Sequence, residues 1–444
     1  MNPLFPPAGP DSRLKSDELR EAWRVLNHEE RADGFRLLGP DEAQDFFSSL
    51  PSHDQMELIG ALSSAEQRLW VRSLAPDDAA DLLQEAQAEQ REALITLLEE
   101  TTRREVRALL AYEEDDAGGL MSPRFARVRP DVTVEEAILY LRRQADKHLE
   151  TIYYAYVLDQ EQRLLGVVSF RDLFQSKAAS LVRDVMHSDL ITVPEDMDQE
   201  KVGAIFAEHG LMAVPVVDGE GRMRGIVTVD DNVDVVQEEA TEDIQMIGGS
   251  TALDAPYLEV GLFEMVRKRG GWLVVLFVAQ FLTTLVLLHF ESFFDRLSVL
   301  AVFIPMIVSS GGNSGSQAST LVIRAMALSQ VELGDWRRVL RRELAVGLLL
   351  GAGLAAIGLA RILILPPEGN VKVTALDLGT TVALSVMGVV LWGTITGSML
   401  PFLLRRSGLD PAGASAPLVS TVVDVVGLLI YIGVAGMVLA AVLG

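Results

Sequence analysis

Five apolar stretches in the C-terminal part of this 444-residue chain restrict its possible folds more than any other feature. A helix needs about 20 apolar residues to cross the ~30 Å hydrocarbon core of a bilayer. Stretches of that length lie at about residues 272–290, 297–328, 344–365, 378–404 and 417–443. We therefore expect residues 271–444 to form a polytopic α-helical membrane domain with five transmembrane helices.

The second stretch is interrupted at its centre. Between Ile304 and Leu328 it reads IPMIVSSGGNSGSQASTLVIRAMAL, with small and polar residues where a lipid-facing helix carries large apolar ones. Backbone that leaves the helix at membrane depth is tolerated only inside protein or beside a water-filled cavity. We expect the helix to be broken here and to line an ion path or a binding site.

The fifth stretch carries a carboxylate, Asp424, in the run STVVDVVGLLIYIGVA. At ~1.5 Å per residue it lies ~12 Å below the start of that stretch. An ionisable side chain at membrane depth costs roughly 2.5–3.5 kcal/mol on insertion scales, so a functional role is the default interpretation. A hydrogen bond to a neighbouring helix is the structural alternative, and no Lys or Arg at similar depth offers a partner.

Neutral oxygen groups accompany this carboxylate. Ser420 and Thr421 lie about one helical turn before Asp424. We expect the interrupted stretch to face them with Gly312, Asn313 and Gln317. Oxygen ligands without His or Cys suit a hard cation, and Mg²⁺ usually keeps several waters while one or two carboxylates hold it. The pattern predicts a cation path, and in a two-fold dimer two such carboxylates would face one axial ion.

Charge is divided unevenly along the chain. Residues 1–255 hold 51 acidic and 25 basic side chains, whereas the rest hold 11 acidic and 13 basic ones. A field of that sign attracts cations and repels nucleic acid, so we expect no nucleic acid partner. The chain has no Cys, which excludes disulfides and thiol chemistry.

Basic residues predict the orientation in the membrane. They precede the first stretch, separate the second from the third and follow the fourth: Arg267, Lys268, Arg269, Arg337, Arg338, Arg341, Arg342, Arg405 and Arg406. Cytoplasmic loops carry such an excess. The start, MNPLFPPAGP, is no secretory signal, and we expect residues 1–13 to be a disordered lead. The chain is thus predicted to cross the cell (inner) membrane with its N-terminus in the cytoplasm and its C-terminus outside.

Residues 14–117 predict an acidic, all-α superhelical N-terminal domain. LGPDEAQDFFSSL from Leu38 returns as LAPDDAADLLQEA from Leu74, a repeat typical of a helical solenoid. Pro followed by acidic residues marks a helix start in both copies. The spacing places Asp41 with Asp45, and Asp77 with Asp81, one turn apart on faces that we expect to be exposed.

Two similar units follow, at residues 118–178 and 179–236. Each reads as strand, amphipathic helix, strand, turn, strand and helix, which predicts a pair of α/β domains. Residues 237–270 are predicted to form a connecting helix, which begins with the acidic run QEEATEDIQM.

The duplicated unit resembles a tandem pair of cystathionine-β-synthase (CBS) domains, a regulatory module. In nucleotide-binding CBS pairs a Ser or Thr precedes by three residues an Asp that holds ribose. Ser169 with Asp172 and Thr228 with Asp231 match that spacing. The resemblance therefore implies ATP or another adenine nucleotide as a regulator.

The membrane part resembles the MgtE family of magnesium transporters and channels. The matching stretches are PMIVSSGGNSGSQASTLVIRA, DWRRVLRRELAVGLLLG, LPFLLRRSGLDPA and SAPLVSTVVDVVGLLIYIGVA. The resemblance implies a homodimer embedded in lipid, with a central path selective for Mg²⁺ and Asp424 binding the hydrated ion. It also implies that cytoplasmic Mg²⁺ closes the path by bridging acidic residues: Asp45, Asp77, Asp81, Asp231, Asp234, Glu239, Glu242 and Asp243. Asp410 matches an acidic position at the pore mouth.

Two other functions stay open at this point. One is an ion-coupled secondary transporter of another divalent cation or a small solute, regulated by nucleotide through the CBS pair. The other is a membrane-embedded enzyme, which the absence of HExxH, GxxxxGK[ST] and Cys disfavours. We expect no enzymatic activity.

Overall fold

A computed structural model describes residues 14–145, 149, 151, 153–253, 257–258, 260–366 and 373–440. It contains two compact units, residues 1–236 and 237–444. The predicted disordered lead at residues 1–13 and the end of the fifth predicted stretch, residues 441–443, lie outside the described residues.

The N-terminal domain is entirely helical in its described part. Its α-helices are α1 (Ser16–Ala22), α2 (His28–Arg36), α3 (Pro40–Ser48), α4 (Ser52–Ala61), α5 (Ser64–Ser73), α6 (Pro76–Gln84), α7 (Ala88–Ile95), α8 (Glu100–Leu109) and α9 (Ala117–Leu120), with a 3₁₀ turn at Trp23–Val25. The all-α prediction is confirmed. Pro is in the first turn of both α3 and α6, because its fixed φ suits a helix start and its missing N–H is not needed there.

The internal repeat places equivalent residues in one core. Phe46 and Phe47 on α3 correspond to Leu82 and Leu83 on α6, and all four are 0% exposed. One prediction about this repeat is wrong. Asp77 lies on a buried face at 6% exposure, because its neighbours Pro76, Ala79 and Ala80 pack into the core while Asp78 faces solvent. Asp41, Asp45 and Asp81 are exposed as predicted.

The two α/β units have the same topology. The first comprises β1 (Arg127–Val128), α10 (Val134–Ala145), β2 (Tyr154–Leu158), β3 (Leu164–Ser169) and α11 (Phe170–Gln175). The second comprises β4 (Val193–Pro194), α12 (Gln199–His209), β5 (Ala213–Val217), β6 (Met223–Thr228) and α13 (Val229–Ile247). In each sheet the middle strand pairs parallel with the first and antiparallel with the third. The predicted tandem α/β pair is confirmed.

The second compact unit contains the membrane helices. They are α14 (Leu262–His289), α16 (Ile304–Ala327), α17 (Trp336–Ile364), α18 (Ala375–Arg406) and α19 (Ala416–Val438), with the short helix α15 (Glu291–Arg296) between the first two. Within the described residues, five helical segments are long and apolar enough to span a membrane, which confirms the predicted class. Two of them begin before the predicted stretches, at Leu262 and Trp336, because basic residues in their first two turns lower the local hydropathy.

The predicted break in the second span is wrong. Residues Ile304–Ala327 form one uninterrupted α-helix, and the departure from α geometry precedes it, as a 3₁₀ segment at Ser298–Phe303. The small residues serve close packing instead. A Cβ on Gly393 would overlap the carbonyl oxygen of Gly311, and one on Gly397 would overlap that of Gly315. Small residues let two backbones approach in a membrane, where packing rather than hydrophobicity drives helix association.

The connecting segment, residues 237–270, is also not the single helix that the sequence predicted. Helix α13 ends at Ile247, and Gly249 follows with a positive φ of 80°. Its last turn packs Met246 and Ile247 against Ile323 and Ala412 of the membrane unit. The segment therefore makes a direct apolar contact with the second span.

Candidate ion-binding site

A cavity of about 410 Å³ lies between α14, α16 and α19. Its lining combines polar side chains with apolar ones: Gln280, Thr283, Ile304, Pro305, Val308, Ser309, Gly312, Asn313, Ser420, Asp424 and Leu428. The acidic side chain of this lining is Asp424. A carboxylate among neutral oxygens within three membrane helices is a suitable site for a cation.

Asp424 is half-buried on α19. Its Oδ2 accepts a hydrogen bond of 3.3 Å from Nε2 of Gln280 on α14. A bond from a neutral amide restricts the rotamer of the carboxylate without neutralising its charge. The negative charge therefore remains available to a cation in the cavity.

Helix α16 faces the carboxylate with small and polar groups. A Cβ on Gly312 would lie 3.2 Å from Oγ of Ser420, so this glycine lets α16 approach α19 closely. Asn313 lies beside it, exposed in the single chain. Two further hydrogen bonds hold α16 to the start of α19, from Ser316 Oγ to the carbonyl of Ala416 at 3.3 Å and between the hydroxyls of Ser316 and Ser420 at 3.4 Å.

Most, but not all, of the predicted pore residues meet at this cavity. Asp424, Asn313, Ser420 and Gly312 all line it, whereas Gln317 and Thr421 are absent from its lining. The hydroxyl of Thr421 donates within its own helix, to the carbonyl of Pro417 at 2.9 Å. Gln317 is one turn beyond Asn313 and exposed.

The sequence left the role of Gln280 open between lining the path and bonding a neighbouring helix. Interhelical hydrogen bonding explains a Gln in a membrane helix as well as a pore role does, so its type alone is not informative. The deciding fact is the pairing of α14 with α19, which a single sequence does not reveal. Thr283, one turn further along α14, also lines the cavity.

A second acidic group lies where α13 ends. Burial together with the charges of Asp410 and Glu239 raises the pKa of Asp243 to about 6, although the charge of Arg324 opposes the shift. Asp410 also caps the 3₁₀ turn Pro411–Gly413, accepting from the amide of Ala412 at 2.7 Å. Three acidic residues named from the sequence thus interact in one place. Glu242, on the same helix, is exposed.

The first compact unit contains its own acidic contacts. Partial removal from water raises the pKa of Asp78 and of Asp234, and in both cases the charge of Asp230 adds to the effect. Asp78 lies in the first turn of the repeat helix α6 and Asp230 in the first turn of α13. Each is adjacent in sequence to a predicted sensing residue, Asp77 or Asp231, and the sequence did not distinguish the neighbours.

Both predicted nucleotide pairs cap helices. Ser169 Oγ donates to Asp172 Oδ2 at 2.6 Å, and the amide of Asp172 donates back to Ser169 Oγ at 3.1 Å. Thr228 Oγ1 donates to Asp231 Oδ2 at 2.5 Å. The first pair is a complete capping box, in which side chains satisfy amides that a helix start leaves unpaired. The spacing therefore has a structural cause whether or not a nucleotide binds.

Direct ligation of a metal by several side chains is not seen in the described part of the chain. No three His, Asp or Glu side chains there converge closely enough to hold an ion. A single carboxylate with neutral oxygens fits an ion that keeps its own water, as Mg²⁺ does.

Comparison with known proteins identifies the family. Residues 304–434 match the family described as divalent cation transporter, residues 14–115 match the MgtE intracellular N domain, and residues 117–178 and 182–231 match CBS domains. The magnesium transporter MgtE of Thermus thermophilus is 43% identical over 375 residues, which cover 82% of this chain and 80% of the relative. The chain belongs to the MgtE family of divalent cation transporters. The resemblance stated from the sequence is thereby confirmed.

Two further MgtE proteins are also similar to the chain. The magnesium transporter MgtE of Enterococcus faecalis is 33% identical over 333 residues, covering 75% of this chain and 71% of the relative. A solved structure of the cytosolic domain of the Mg²⁺ channel MgtE in complex with ATP is 41% identical and covers 50% of this chain and 90% of its own, with a TM-score of 0.47. The MgtE family comprises membrane transporters, so the prediction that the chain is not an enzyme is confirmed.

Proposed function

We propose that this MgtE protein conducts Mg²⁺ across the cell membrane, with Asp424 attracting an ion that keeps its water. The meeting of Asp424, Asn313, Ser420 and Gly312 at one cavity supports this proposal most directly. The relatives named as magnesium transporters support the choice of ion. Six waters at ~30 Å³ each occupy ~180 Å³, which the cavity of about 410 Å³ can hold.

Replacement of the carboxylate tests the proposal. The full-length protein is placed in liposomes that contain a Mg²⁺-sensitive dye, and Asp424→Ala and Asp424→Asn are compared with the native chain. Both variants should lose most Mg²⁺ uptake, because neither retains a charge in the cavity. Asp295→Asn, at an exposed carboxylate of the short helix α15 between the first two spans, is the matched control and should transport normally. Native uptake by Asp424→Ala would remove the proposal.

The proposed path lies on the two-fold axis of a homodimer. In the single chain Asp424 is half-buried and Asn313 and Gln317 are exposed, an unfavourable arrangement for polar groups facing lipid. A second copy would cover them. The chain contains no Cys, so Asn313→Cys introduces a unique thiol. It should form a disulfide-linked dimer under mild oxidation, whereas Leu349→Cys, 76% exposed on α17, should not.

Cytoplasmic Mg²⁺ is proposed to close the path. The acidic contacts of Asp243 with Asp410 and Glu239 and of Asp230 with Asp78 and Asp234 place like charges close together. A divalent cation would relieve that repulsion and favour the compact arrangement to the extent that it binds that arrangement more tightly. Protease digestion of the N-terminal and CBS domains should slow between low and high millimolar Mg²⁺. Unchanged digestion would exclude this gating mechanism.

The gating proposal requires the N-terminus and the CBS pair to be cytoplasmic, and five spans would then place the C-terminus outside. The basic residues that flank the predicted spans support this orientation. An adenine nucleotide is the further regulator proposed, at Ser169, Asp172, Thr228 and Asp231. Calorimetric titration of the full chain with ATP should show binding that Asp172→Asn or Asp231→Asn weakens.

Channel and carrier mechanisms differ in one measurement. A channel should show unitary Mg²⁺ currents in planar bilayers, driven by the ion gradient alone. A secondary transporter of another cation or solute should show none and should depend on a coupling ion. We expect currents, since the donors at the cavity suit a weakly held hydrated ion.

A further inference from the structure

A larger cavity of about 750 Å³ lies along α18, away from Asp424. Its volume falls within the ~300–1,000 Å³ range of pockets that bind small molecules. One stripe of α18 lines most of it, with Trp392, Ile395, Met399, Leu403 and Arg406 at intervals of three and four residues. These intervals place the five side chains on one helix face.

The two ends of this cavity differ in chemistry. The side chains between Trp392 and Leu403 are mainly apolar, whereas the last lining residue is Arg406. Arg406 is exposed, and its guanidinium has no ion-pair partner among the residues that the structure describes. Trp336, at the start of α17, lies at the same end and is 43% exposed. The cavity therefore has an apolar part between Trp392 and Leu403, which we call the trough. Its open end, which we call the mouth, carries one cationic side chain, Arg406.

The dimensions of this trough match one leaflet of a membrane. From Trp392 to Arg406, α18 rises ~21 Å at ~1.5 Å per residue. Half of the hydrocarbon core measures ~15 Å, so Arg406 reaches headgroup level when Trp392 lies near the bilayer centre. Trp336 then lies at the interface, where amphipathic rings concentrate.

We propose that this cavity binds one phospholipid with an anionic headgroup, its acyl chain along α18 and its phosphate at Arg406. The inference does not depend on the proposed Mg²⁺ path, since it shares no lining residue with the first cavity. Basic pockets between membrane helices recognise such headgroups.

Charge at the mouth favours an anionic lipid over a zwitterionic one. Arg337 and Arg338 directly follow the lining residue Trp336 in the sequence, and the guanidinium of Arg337 lies 5.1 Å from the centre of the Trp336 ring. A choline or ethanolamine headgroup would bring its own cation into this basic region. A second copy of the chain would fit this cavity only if it supplied an apolar helix with an acidic residue opposite Arg406.

Native mass spectrometry of the lipid-depleted full chain in uncharged detergent tests the proposal. Phosphatidylglycerol is titrated against phosphatidylcholine and against glycerol 3-phosphate, which lacks the acyl chains. The native chain should bind one phosphatidylglycerol per subunit in preference to phosphatidylcholine and should not bind glycerol 3-phosphate. Arg406→Gln should weaken phosphatidylglycerol about tenfold, the loss expected for one charge-assisted hydrogen bond.

Two further variants separate the site from general effects. Arg405→Gln removes the same charge from the adjacent residue, which does not line the cavity, and it should bind as the native chain does. Thr396→Phe fills the middle of the trough and should weaken phosphatidylglycerol while Arg406 is intact. Equal binding by Arg406→Gln and Arg405→Gln would overturn the proposal. If Arg406→Gln or Thr396→Phe dissociated the dimer and left lipid binding unchanged, this face of α18 would instead be a contact with a second copy of the chain.

Discussion

The amide of Gln280 on the first span donates a hydrogen bond of 3.3 Å to the carboxylate of Asp424 on the fifth. This bond makes α14 part of the proposed ion site, although α14 is mostly exposed on its other faces. It restricts the position of the carboxylate in the cavity. We therefore treat Gln280 as a positioning residue for Asp424.

Removal of this amide should reduce transport without abolishing it. Gln280→Leu keeps the size of the side chain but removes the donor, which leaves the carboxylate free to change rotamer. Hydrogen bonds to charged groups contribute about 1.5–3 kcal/mol, so Mg²⁺ uptake should fall about tenfold. Thr284→Val, on the same helix but outside the cavity lining, is the control. Equal rates for the native chain and Gln280→Leu would contradict this role.

The close crossing of α16 and α18 should not tolerate a single methyl group. In Gly397→Ala the new Cβ would overlap the carbonyl oxygen of Gly315. Overpacking of this kind typically costs about 1–3 kcal/mol and shifts backbone, so the melting temperature in detergent should fall by several degrees. Gly353→Ala on α17 has nothing within 4 Å of its Cβ and should be neutral or stabilising, because Ala favours a helix. Equal melting temperatures for the two variants would show that the helices do not cross here.

Asp243 should make stability depend on pH. Its folded pKa of about 6 lies above the ordinary carboxyl value of about 3.9, so between these values the folded chain binds more protons than the unfolded chain. Stability due to this group is therefore present below about pH 4 and is lost as pH rises through about 6. In EDTA, Asp243→Asn should melt higher than the native chain at pH 7 but not at pH 4.5.

This prediction has a matched control and a result that would contradict it. Asp295→Asn changes the net charge equally at an exposed site and controls for a general effect of charge. A constant difference between the native chain and Asp243→Asn from pH 4.5 to 7 would mean that the carboxylate is not buried beside Asp410 and Glu239.

The structural role of the Thr228 hydroxyl can be measured apart from any nucleotide. Thr228→Ala removes the hydroxyl that donates to Asp231 at the start of α13, and loss of one such hydrogen bond costs about 1 kcal/mol. Amide hydrogen exchange in the first turn of α13 should then accelerate about fivefold with or without ATP. Thr228→Ser keeps the hydroxyl and should exchange at the native rate. Acceleration seen only when ATP is present would contradict a structural role for this hydroxyl.

Local sequence patterns alone indicated the fold class. The repeated helix starts at Pro40 and Pro76, and the duplicated strand and helix pattern, follow from local rules on turns, caps and alternation. Five apolar stretches predicted five spans, because length and hydropathy decide whether a helix can cross a bilayer. Asp424 was identified for a similar reason, since a carboxylate within an apolar stretch is costly wherever the helix packs.

Only the tertiary structure decided what the glycine-rich stretch does. Its residue types predicted a broken helix. Gly311 and Gly315 instead form part of a continuous helix in contact with Gly393 and Gly397. Glycine weakens a helix and also permits close packing, and the outcome depends on a partner some 80 residues away in the chain. The bond between Gln280 and Asp424 has the same origin. The sequence determined which residues are chemically unusual, and helix packing determined which of them meet.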